Sequence, residues 1–118
     1  ATREHRVVEA MDRSRYATQL SWWLEHFPRE QMLLLQYERC VADAQVQLDR
    51  TYEFLGLPGQ NASVQEIARK RKKAREHVVL PDSSREWLGE YYAADVRRLR
   101  EIMPDLDLSL WKSLPPLD

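Results

Sequence analysis

Apolar residues recur at steps of three and four in three separate stretches of this sequence, and each stretch predicts a helix. Tyr16, Leu20, Trp23, Leu24 and Phe27 share one face of a helix expected from an N-cap at Ser14 to about Phe27, with Pro28 as its stop. Leu48, Thr51, Tyr52 and Leu55 face inward on a second helix, from about Asp43 to Leu55, which Gly56 ends and Pro58 keeps from resuming. Leu88, Tyr92, Val96, Leu99 and Met103 form the inner stripe of a third. A capping box, Ser83-Ser84-Arg85-Glu86, opens that helix, and Pro104 follows its end. Met32-Leu33-Leu34-Leu35-Gln36-Tyr37 is a short apolar run whose length and flanks suit a strand buried on both faces, with a buried helical turn as the alternative. Residues before Asp12 are weakly helical, and Leu106, Leu108 and Trp111 suit a short tail packed back onto the body.

One strand with three helices does not close a sheet, because a buried strand needs neighbours on both edges. The expected fold class is therefore α/β, the chain being the C-terminal part of a larger domain and itself mostly α-helical. Its 118 residues can form one modest core. No apolar run approaches the roughly 20 residues of a membrane helix, and residues 1–6 lack the apolar centre of a signal peptide. The single cysteine, Cys40, excludes an internal disulfide and fits a reducing, cytoplasmic setting.

Charge changes the picture more than composition does. The net charge is −1, yet Arg69, Lys70, Arg71, Lys72, Lys73 and Arg75 lie within seven residues. Without those six, 12 basic residues face 19 acidic ones, so an acidic body carries a strongly cationic patch. The patch lies in the stretch from Leu57 to Pro81, where periodicity fades and a functional loop is expected. Three readings compete: a solvated loop, attachment to nucleic acid or an acidic partner, and a grip on a small phosphorylated ligand. No aromatic residue interleaves with the charges, which disfavours a stacking platform for bases.

Other chemistry is sparse. His5, His26 and His77 lack metal-ligand spacing, so no metal is expected, and Cys40 reads as a small packed residue. Asn61-Ala62-Ser63 matches a glycosylation sequon without a secretory signal, and none of the three glycines opens a strand-to-helix phosphate loop. Tyr16, Trp22, Trp23 and Phe27 are expected as core, Trp22 at its rim. No catalytic constellation is present in the sequence.

The order of motifs resembles the C-terminal half of sulfotransferases that use 3′-phosphoadenosine 5′-phosphosulfate (PAPS), bacterial and heparan-sulfate types. Tyr16-Ala17-Thr18-Gln19-Leu20, Trp23-Leu24 and Phe27-Pro28-Arg29-Glu30-Gln31-Met32-Leu33 look like the family's helix-to-strand passage. Tyr37-Glu38 with Val41-Ala42-Asp43, then Phe54-Leu55-Gly56-Leu57, the basic loop, the helix from Trp87-Leu88 to Leu99 and the closing Leu108 to Trp111 follow in the family's order. The resemblance implies residues 1–118 as the C-terminal portion of one P-loop-like sulfotransferase domain, with a cofactor-closing loop at about 60–81. It implies transfer of a sulfuryl group from PAPS to a hydroxyl or amine of a small molecule, lipid or carbohydrate, without a metal. Lys73, Ala74, Arg75, Glu76 and His77 best match the family's Lys-Gly-Arg loop, with Ala74 in the glycine's place. The phosphosulfate loop and the general base are expected to precede the equivalent of Ala1. The runner-up is a small helical binding module using Arg69 to Arg75 for nucleic acid or an acidic partner.

Overall fold

The computed structural model describes residues 2–59 and 79–111. It divides into two compact units, Ala1–Met32 with Leu80–Asp118, and Leu33–Val79. In the first unit the weakly helical start is a full helix, α1 (Arg3–Arg13). Thr2 caps it, its side chain accepting from the His5 N–H at 3.3 Å. Glu9 adds exposed pairs one turn either way, 3.7 Å to His5 and 3.8 Å to Arg13. Ser14 ends this helix, its hydroxyl donating to the Ala10 carbonyl at 3.1 Å, and is not the N-cap expected for the next one.

Helix α2 (Tyr16–Leu24) starts with no side-chain cap of its own. The chain turns before Pro28 and makes a single 3-10 turn, Arg29–Gln31. The expected inner face of α2 is corrected in part: Leu20 and Leu24 are half-buried, but Tyr16, Trp23 and Phe27 are 50%, 58% and 45% exposed, and Trp22, expected at the rim, is 61% exposed. The residue that α2 buries is Ala17, with Thr18 and Ser21 half-buried beside it. Small side chains let two helix backbones approach, so they take the contact while the rings lie outside it.

The partner of α2 is the longest helix. The next two helices belong to the second unit: α3 (Tyr37–Ala42) and α4 (Ala44–Phe54), which pack on each other. Asp43, at φ −144° and ψ 61°, separates them. Helix α3 is unforeseen by the periodicity, whereas α4 lies within a residue of its expected bounds at each end. Its stop is a Schellman turn: Leu57 N–H donates to the Tyr52 carbonyl at 2.9 Å and Gly56 N–H to Glu53 at 3.0 Å. Gly56 has φ +65°, the left-handed value the sequence predicts. Leu48, Thr51 and Tyr52 are half-buried, but Leu55, past the last helical residue, is exposed.

The buried strand is not present. Residues 32–36 are extended, with φ/ψ of −122°/115° at Met32 and −83°/123° at Gln36. Among the described residues no strand pairs with them, and extended backbone without a ladder is not a sheet strand. Leu35 is exposed, and Tyr37, 75% exposed, already begins α3.

In the first unit, α5 (Asp82–Ile102) packs against α2. Its N-cap is Pro81, whose carbonyl accepts from the N–H groups of Ser84 and Arg85 at 3.0 and 3.1 Å. Ser83 and Ser84 therefore sit inside the first turn, and the expected capping box does not form. The inner stripe is as expected: Val96, Leu99 and Met103 are buried, with Leu88 and Tyr92 half-buried. Beyond Pro104 a 3-10 turn, Leu108–Leu110, is capped by Asp107, whose carboxylate accepts from the Ser109 N–H (3.0 Å) and hydroxyl (2.6 Å). Trp111 then reaches the Tyr16 ring at 6.5 Å, which brings the tail back as predicted.

Candidate functional site

Lys73, Ala74, Arg75, Glu76 and His77 lie outside the described residues, as does the rest of the basic run. Of the expected loop at 60–81, the described part is its end, exposed Val79 and Leu80 and the α5 N-cap Pro81. His5 pairs with Glu9, His26 is exposed after α2, and Cys40 is a half-buried free thiol in α3. No group of three or more His, Cys, Asp or Glu side chains suited to a metal occurs among the described residues.

The best-built polar constellation lies along α5, at a residue the sequence reading missed. Asp95 is 6% exposed on the inner side of α5. Its Oδ2 accepts from the Ala17 N–H at 2.9 Å, while its Oδ1 accepts from the Thr18 N–H at 3.0 Å and from the Thr18 hydroxyl at 2.6 Å. Ala17 and Thr18 are the second and third residues of α2, whose N–H groups have no partner within the helix. Asp95 thus does the work of an N-cap from 77 residues away in sequence. A carboxylate also suits the positive end of the α2 dipole.

Further links continue in step. Tyr92 donates its hydroxyl to the Met11 carbonyl at 3.1 Å. Arg98 donates to the Ser21 hydroxyl oxygen at 2.9 Å, and that hydroxyl donates to the Ala17 carbonyl at 2.7 Å. Arg29 donates from Nε to the Ile102 carbonyl at 3.1 Å and from Nη1 to the Met32 carbonyl. The partners 11, 17–18, 21 and 29 rise with 92, 95, 98 and 102, so α2 and α5 run parallel. A signal for Asp95 was available: it falls at i+3 from Tyr92 and i−4 from Leu99, on the apolar stripe. An acid on such a stripe needs a partner.

A family model described as "Sulfotransferase domain" matches residues 3–77, more than half of the chain. This chain belongs to the sulfotransferase family. The match covers α1 to α4 and extends through the basic run to His77. Among curated proteins, heparan sulfate glucosamine 3-O-sulfotransferases 3B1 and 3A1 of Homo sapiens are each 48% identical over 42 residues, 36% of this chain and 11% and 10% of their own lengths. The 3B1 protein of Mus musculus is 50% identical over 42 residues, 36% of this chain and 11% of its own. The matched stretch of this sulfotransferase chain thus spans about a tenth of those relatives. No solved structure matches the chain at a significant level. No helix among the described residues is long and apolar enough to cross a membrane.

Proposed function

We propose that this chain is the C-terminal portion of a sulfotransferase domain that moves a sulfuryl group from PAPS to a hydroxyl or amine acceptor. The observation that carries this reading is the family match running to His77, which includes the segment Lys73-Ala74-Arg75. The relatives' names support a hydroxyl acceptor on a carbohydrate, and small-molecule and lipid acceptors belong to the same reaction class. In this reading the acceptor oxygen or nitrogen forms a bond to sulfur as the bond from sulfur to the bridging phosphosulfate oxygen breaks. Adenosine 3′,5′-bisphosphate leaves, and the acceptor's proton passes to a base contributed from outside this chain, as is the phosphosulfate loop. The protein's task is positioning and charge stabilisation, which requires no metal. A cytoplasmic setting fits the lone thiol of Cys40.

Within this proposal Lys73 and Arg75 neutralise the nucleotide's 3′-phosphate, Ala74 offers a backbone N–H, and Glu76 and His77 complete the loop. The test is calorimetric titration of adenosine 3′,5′-bisphosphate into the enzyme that contains this chain. Arg75→Ala and Lys73→Ala should each weaken binding about tenfold or more, because one charge-assisted hydrogen bond is worth at least about 1.5 kcal/mol. AMP should bind more weakly than the 3′-phosphorylated nucleotide. Unchanged affinity in both variants would remove the site from this loop. Binding that ignores the 3′-phosphate but falls steeply with salt would favour a nucleic-acid patch instead.

A further inference from the structure

We draw no further inference here: the strongest candidate, the exposed aromatic face of α2 formed by Tyr16, Trp22, Trp23 and Phe27, carries none because nothing among the described residues shows what covers it.

Discussion

Asp95→Ala should be among the most damaging single substitutions in the first unit, although it removes only three heavy atoms. The carboxylate accepts three hydrogen bonds, two from the N-terminal N–H groups of α2 and one from the Thr18 hydroxyl. Ala17 is 0% exposed, so water cannot replace the lost partner of its N–H. A buried donor left unsatisfied costs about 1–3 kcal/mol, and loss of an N-cap typically costs about 1 kcal/mol. Thr18 is only half-buried and recovers part of its loss through solvent. The sum points to a destabilisation of about 2–4 kcal/mol. Urea unfolding of wild type, Asp95→Ala, Thr18→Val and the double variant measures it. Thr18→Val keeps the two backbone bonds and loses the hydroxyl, so it should cost about 1–2 kcal/mol. In the double variant the two losses should fall short of additivity by about 1 kcal/mol, because both remove the 2.6 Å bond. An Asp95→Ala cost below about 0.5 kcal/mol, the usual surface range, or strict additivity of the pair, would refute the cap.

Gly56→Ala meets no atom within 4 Å of the added Cβ, so its cost is purely the left-handed backbone, about 1 kcal/mol by chemical denaturation. Leu99→Ala, on the buried stripe of α5, should cost about 2–5 kcal/mol, whereas Trp22→Ala, on the exposed side of α2, should cost far less despite its larger side chain; reversed sizes would mean the wrong face is buried. Arg29→Ala removes the donor to the last carbonyl of α5 and should cost about 0.5–1.5 kcal/mol, with increased hydrogen exchange confined to the end of that helix.

The periodic signals that held are those in which one local cause decides the outcome. Gly56 ends α4 because the chain needs positive φ there, and Pro104 follows the end of α5 because the residue before proline leaves the helical region. The stripe from Leu88 to Met103 faces inward, half-buried at Leu88 and Tyr92 and buried from Val96 on, because its period matches one helix against one partner. The readings that failed depended on what lies opposite. An aromatic face on α2 and a small-residue face built on Ala17 and Ser21 are both amphipathic patterns, and only the approach of α5 chooses between them. Met32 to Gln36 adopts the dihedrals of a strand, but a ladder needs a second strand, which periodicity within one segment cannot supply. The Ser83–Glu86 box competed with Pro81, whose preset φ and carbonyl start the helix two residues earlier. As for the candidate site, the basic run is legible as charge, while Asp95 is legible only as an acid on an apolar stripe, since its partners Ala17 and Thr18 lie 78 and 77 residues away, where spacing within one helix cannot name them.

The polar links along α5 say how this unit holds its register. Among the described residues its buried apolar side chains are Ala17, Val96, Leu99 and Met103, a layer that tolerates sliding because apolar contact is non-directional. Parallel packing of α2 on α5 also sets like dipole ends side by side, which opposes the arrangement slightly. Neither effect selects one alignment. The hydrogen bonds do: a shift of α5 by one turn would carry Asp95 about 5.4 Å from the α2 N-terminus and break its three bonds at once. The same shift would separate Arg98 from Ser21 and the α5 C-terminus from Arg29. Apolar swaps that conserve volume, such as Leu99→Met, should therefore cost under about 1.5 kcal/mol and leave the alignment unchanged. Asp95→Asn, nearly identical in shape, exchanges one acceptor oxygen for an NH₂ donor facing donors. It should broaden the amide signals of both helices in NMR spectra while far-UV circular dichroism stays helical, and sharp, single signals in that variant would show that apolar packing alone fixes the alignment.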